Sequence, residues 1–241
     1  MNRFEELYHE AKADKWFQQF AVFCRLALAA GFLPAGFVKV MGERFAAGLP
    51  SNNPLGHYFD ALQLTGYYYT FIGITQIITA VFLLIPRTSL LGALMYFPMI
   101  VNICVLTYAT RFEGTRLVTF MVLANLFLLI WDYGRLKHIL PLGQPKVESR
   151  PVLKNPMGNR LRILFFGGSF AVLAAIIIGT FYIFEIGPCN SESACRNQCA
   201  GSKNPAACEV FCDCIYKHGQ PLDSCLATFN KAIDISESKV K

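Results

Sequence analysis

Five stretches of this chain, at 17–38, 66–85, 90–107, 116–131 and 163–184, run for 16 to 22 residues with almost no charge. Few folds are open to such a chain. A helix of ~20 residues at ~1.5 Å per residue matches a hydrocarbon core of ~30 Å. Inside that core the backbone must satisfy its own hydrogen bonds, so each stretch reads as a membrane-spanning helix. Charged residues are 16% of the 241, against roughly 25% in soluble domains. Tyr67, Tyr68, Tyr69, Tyr108, Trp131 and Tyr133 fall at span ends, where amphipathic rings settle among headgroups. The lipid bilayer is therefore the first partner.

Lys and Arg set the expected orientation. The segment 133–162 carries Arg135, Lys137, Lys146, Arg150, Lys154, Arg160 and Arg162 and should stay cytoplasmic. Alternation then puts the N-terminus and the Pro86-Arg87-Thr88 turn inside. Loop 39–65, the turn around Arg111 and the C-terminal tail fall outside. The net charge of +6 is concentrated in that one basic segment, so it is not a nucleic-acid signal. Residues 1–16 mix Glu5, Glu6, Glu10 and Asp14 with Arg3, Lys12 and Lys15. They read as an amphipathic cytoplasmic segment rather than a cleaved signal. Pro141, Pro145, Pro151 and Pro156 break any helix between the fourth and fifth spans. The expected organisation is an N-terminal segment 1–16, a four-helix membrane body 17–136, a basic Pro-rich linker 137–162, a fifth span 163–185 and a Cys-rich tail 186–241.

Polar residues inside spans are costly and therefore informative. Arg25 lies about 12 Å into the first span by helical rise. Gln76 in the second span and Asn125 in the fourth reach similar depth, while Asn102 in the third lies nearer the outer face. No Asp or Glu sits centrally in any span, so Arg25 is expected to be held by neutral oxygens, water or a bound ligand. Two readings stand: a polar network joining helices, or a site for an anionic or quinone-like molecule. His9, His57, His138 and His218 all lie outside the spans and share no helical spacing, which argues against a metal site. Cys24 and Cys104 sit at different depths and read as buried small residues. There is no Walker loop, no dinucleotide fingerprint, no HExxH and no haem motif, and no catalytic set emerges.

The segment CRLALAAGFLPAGFVKVMGERF, at 24–45, resembles the opening helix of DoxX-like membrane proteins. Arg25, Gly36 and Lys39 match that pattern. GITQIITAVFLLIPRTSLLGALM, FPMIVNICVL and FEGTRLVTFMVLANLFLLIWDYGRLK are similar to their later helices. The resemblance covers about 17–140. It implies a four-helix membrane bundle, a bacterial inner membrane, and a loose link to quinone-dependent oxidoreductase complexes, with quinone the one candidate cofactor. It adds Lys39 to Arg25, Gln76, Asn102 and Asn125 as ligand-binding candidates. Members often carry an acidic residue where Gln76 stands, which removes a natural partner for Arg25. The fifth helix and the tail lie outside the pattern.

Seven of the nine cysteines lie in the last 53 residues. Cys195 and Cys199 share one helix face, as do Cys208 and Cys212. Between them stand a glycine stop and Asn204-Pro205, an N-cap with proline at the first helical position. An antiparallel hairpin pairs Cys195 with Cys212 and Cys199 with Cys208. Cys214 points elsewhere and pairs with Cys225 on a third helix beginning near Pro221. Cys189 is left over, free or joined to another chain. So small a segment needs such staples, and persistent disulfides require an extracytoplasmic location.

The expectation is thus an all-α polytopic membrane protein with a stapled helical outer domain. Its expected role is a non-catalytic accessory or assembly subunit, with the tail contacting another membrane or periplasmic protein. The competing readings are a quinone- or thiol-linked redox component and a transporter of small lipophilic molecules.

Overall fold

The computed structural model describes residues 3–139, 159–202 and 204–238. They are helical, with no strand among them. The order is α1 (Arg3–Ala13), α2 (Lys15–Val40), α3 (Pro54–Gln63), α4 (Tyr67–Leu84), α5 (Ser89–Ala109), α6 (Thr115–Trp131), α7 (Tyr133–Ile139), α8 (Asn159–Ile183), α9 (Glu192–Gln198), α10 (Pro205–Tyr216) and α11 (Leu222–Ser238). A single 3-10 turn, Cys199–Gly201, follows α9.

Four helices are long and apolar enough to cross a membrane: Lys15–Val40, Tyr67–Leu84, Ser89–Ala109 and the stretch Arg162–Thr180 of α8. Thr115–Trp131 is apolar but shorter. None of the α8 stretch is buried within the protein. Ile163, Leu164 and Phe170 are each at least 70% exposed, a surface that water would not tolerate and lipid would.

The chain forms two compact units whose boundary passes within helices. The first comprises 1–34, 75–101 and 120–177. In it α2 and α5 meet where Phe32 stacks on Tyr96 at 3.8 Å and the Tyr96 hydroxyl donates to Leu28 O at 3.4 Å. Phe20 of α2 packs edge-on against Phe127 of α6, and Phe17 packs on Phe165 of α8. The α4–α5 turn closes because Gly92 lets the backbones touch. A Cβ there would lie 2.6 Å from Leu83 N and 2.9 Å from the Phe82 carbonyl carbon. Backbone atoms cannot step aside, so Gly92→Ala is expected to cost ~1–3 kcal/mol as overpacking. Thermal unfolding in detergent would register it as a lower midpoint, and an unchanged midpoint would refute it.

The second unit comprises 35–74, 102–119 and 178–241. Here α2 and α4 approach closely at Gly73, where a Cβ would sit 2.7 Å from Gly36 O. Loop 39–65 contains α3. The Asn53 side chain caps it by accepting from Leu55 N and Gly56 N, and Pro54 holds the first helical position. The tail forms α9, α10 and α11, capped by Ser191 and Asn204 at the first two. The disulfides are Cys195–Cys212, Cys199–Cys208 and Cys214–Cys225. Phe211, Ile215 and Phe229 fill the core around them.

Two expected boundaries shift. The last apolar helix begins at Asn159 rather than 163, and α7 runs on to Ile139. Most of the Pro-rich linker, 140–158, lies outside the described residues.

Candidate functional site

Arg25 does not rely on neutral oxygens. Its partner in the first unit is Asp132, with Nη2 3.4 Å from Oδ2. Asp132 follows directly on α6, buried to 6% exposure, where the helix pauses before α7. Oδ1 also meets Lys12 Nζ at 3.5 Å, and the Ser89 hydroxyl donates to Oδ2 at 3.5 Å. Lys12 lies 4.0 Å over the Trp131 ring. Burial pushes its ammonium pKa down, and Asp132 pulls it back up. Tyr8 bridges the junction by donating to Trp131 O at 3.0 Å and accepting from Gly134 N at 3.1 Å. One carboxylate thus bridges two cations, an arrangement suited to anchoring α1, α2, α5 and α6 together. Asp132, Lys12, Ser89 and Tyr8 escaped the sequence reading. The available signal was a lone carboxylate ending a long uncharged run.

The other expected ligand-binding residues have mostly structural partners. The Asn125 amide donates to Ala93 O at 3.2 Å. In the second unit Lys39 donates to Ala35 O at 3.0 Å, on its own helix, and its ammonium lies 4.0 Å over the Phe45 ring. Asn102, also in the second unit, is exposed. Gln76 is buried in the first unit with its Oε1 unpaired, as are Thr79 Oγ1 and Asn125 Oδ1.

The second polar centre joins the tail to loop 50–56. Asn52 donates to Tyr216 O at 2.6 Å. The Asn53 amide donates to Cys189 O at 2.8 Å and to the Tyr216 hydroxyl at 3.2 Å. Tyr216 donates in turn to Pro188 O at 2.6 Å. Arg111 donates to Ile186 O at 2.8 Å, and Asn190 donates to Glu113. A shallow cavity of about 300 Å³ opens here, lined by Pro50, Ser51, Asn52, Glu192 and Tyr216. Asn53 thus caps α3 with its oxygen and ties down the tail with its nitrogen. Asn53→Ala is expected to lose ~1–2 kcal/mol from the cap alone and to speed trypsin cleavage after Lys217. Wild-type cleavage kinetics would count against this role.

Cys189 is free, half-buried and in a left-handed conformation at φ 56°. Burial and the neighbouring Glu113 carboxylate push its thiol up to about 12. Cys199, Cys208 and Cys212 bring their sulfurs within 4.8 Å of one another. A metal could use that spacing, but in the bonded state no thiolate is available to hold one.

These features define a class: an all-helical protein with several helices able to cross a membrane and a disulfide-braced C-terminal region. No family model matches the sequence, and no solved structure matches it. The uncharacterized protein YwoB of Bacillus subtilis (strain 168) is 37% identical over 135 residues, covering 54% of this chain and 86% of YwoB. The chain belongs to the YwoB family.

Proposed function

We propose that this chain is a DoxX-like protein of the bacterial inner membrane, acting as a non-catalytic accessory or assembly subunit. In this reading it crosses the bilayer five times, with a four-helix bundle beside a fifth helix. The N-terminus is cytoplasmic and the stapled tail is extracytoplasmic, where it contacts a membrane or periplasmic partner. The observation that carries the reading is the construction of the tail. Three disulfides brace it, and Tyr216 and Cys189 fasten it to Asn52 and Asn53. It is a fixed platform, and Val210 on α10 stands 55% exposed on it. The charged groups in the apolar helices serve structure, with Arg25 paired to Asp132 and Lys39 bonded within its own helix.

One observation favours the redox reading. Gln76 Oε1, Thr79 Oγ1 and Asn125 Oδ1 are buried acceptors without donors, and buried polar groups ordinarily find partners. A hydroquinone hydroxyl would satisfy such oxygens, as would water.

Native gel mobility after mild solubilisation of native membranes, paired with organic extraction, separates the two. An assembly subunit migrates in a larger complex from which Val210→Glu releases it, and it yields no quinone. A protein that migrates alone and carries one quinone per chain, lost in Gln76→Leu, would overturn the proposal.

A further inference from the structure

Two sulfurs meet one carbonyl oxygen where the tail leaves α8. Cys189 Sγ lies 3.7 Å from Gly187 O, and Cys195 Sγ lies 3.9 Å from the same oxygen. Gln198 spans the pair, its amide donating to Gly187 O at 2.6 Å and to Cys195 Sγ at 3.4 Å. Beyond Cys195 is its bonded partner Cys212, whose sulfur is 4.0 Å from Cys199, half of the next disulfide. A free thiol therefore shares a carbonyl neighbour with one disulfide, and that disulfide stands beside another.

We infer that Cys189 and the Cys195–Cys212 bond form a thiol–disulfide exchange site, with Cys189 the internal nucleophile and Cys195 the sulfur attacked. Cys189 loses its proton to solvent and its sulfur lone pair forms a bond to Cys195. The Cys195–Cys212 bond breaks, and Cys212 leaves with the electron pair and takes up a proton. One thiol and one disulfide enter and one of each remain, so no oxidant or reductant is needed. The released Cys212 can repeat the step on Cys199, freeing Cys208. The outcome moves the thiol from the membrane end of the tail into α10 without changing its oxidation level. This goes beyond the accessory role and does not depend on it.

The groups around Cys189 set when this happens. Glu113 faces it from the α5–α6 turn, Tyr216 from α10, and Glu192 lies on α9, while Arg111 is engaged with Ile186 O. Burial and the Glu113 carboxylate oppose the thiolate and keep the exchange slow at neutral pH.

The test uses the full-length oxidised protein in detergent, without added thiol, incubated between pH 7 and 10. Samples are quenched with acid, alkylated with N-ethylmaleimide and digested with trypsin without reduction. Cleavage after Arg162, Arg196, Lys203 and Lys217 puts Cys189 and Cys195 in one peptide and Cys212 in another. Exchange frees the 163–196 peptide from its partner, closes a bond within it, and moves the label from Cys189 to Cys212 or Cys208. The rate should rise about tenfold per pH unit, as the thiolate fraction does below the thiol pKa. Glu113→Gln should speed it severalfold at fixed pH, and Cys189→Ser should abolish it. Label that stays on Cys189 at every pH, in the wild type and in Glu113→Gln, would overturn the inference. So would the same rearrangement in Cys189→Ser.

Discussion

Asp132→Ala is expected to destabilise the first unit by about 3 kcal/mol, the low end for removing one partner of a buried ion pair. The Asp132 side chain is 8% exposed and its carboxylate faces both Arg25 and Lys12. Without it, two cations beside apolar helices lose the carboxylate they share. The low end applies because the contacts are 3.4 and 3.5 Å and the Lys12 side chain is 30% exposed. Asp132→Asn should cost nearly as much, since the lost charge matters more than the lost shape. The double variant Arg25→Met with Asp132→Ala should be more stable than Asp132→Ala alone, because it removes the stranded guanidinium. Thermal unfolding in a fixed detergent measures all three. A wild-type midpoint for Asp132→Ala, or additive losses in the double variant, would dismiss the pair as a stabilising element.

Reduction of the three disulfides should unfold the tail and leave the apolar helices intact. The bonds close loops of 17, 9 and 11 residues, and each contributes ~2–4 kcal/mol on the chain-entropy view. The remaining core is Phe211, Ile215, Tyr216 and Phe229 with a few smaller residues. That is too little for a segment of this size to stay folded unaided. Trypsin should then cut after Arg196 and Lys217 within minutes in reductant, while α2 and α4–α6 resist. Equal protection of the reduced and oxidised tail would show that packing against loop 50–56 suffices without the bonds.

Much of the architecture was legible before the fold. Long uncharged runs locate the apolar helices, because a backbone in lipid has no other way to satisfy itself. The cysteine pairs were legible because i, i+4 spacing puts two sulfurs on one face, and Asn204-Pro205 marks where the chain turns back. The same cap, Asn53-Pro54, begins α3 inside loop 39–65, where no helix was read. The signal was present there but lay in a stretch with no apolar period to draw attention to it.

The polar partners were not legible. Arg25 and Asp132 are 107 residues apart, and nothing in local spacing joins them; they meet because α2 and α6 pack side by side, as Phe20 and Phe127 show. Gln76 and Asn125, equal in depth along their helices, were expected in one network with Arg25. Helical depth gives height but not azimuth, and azimuth selects the partner: a carbonyl of α5 for the Asn125 amide, a carboxylate for Arg25. Likewise spacing left Cys189 over, but only the fold of α9 brings Cys195 to the Gly187 carbonyl that Cys189 meets two residues away. Periodicity and caps are local properties of a chain, whereas which side chain meets a buried charge or a disulfide is set by how separate helices pack.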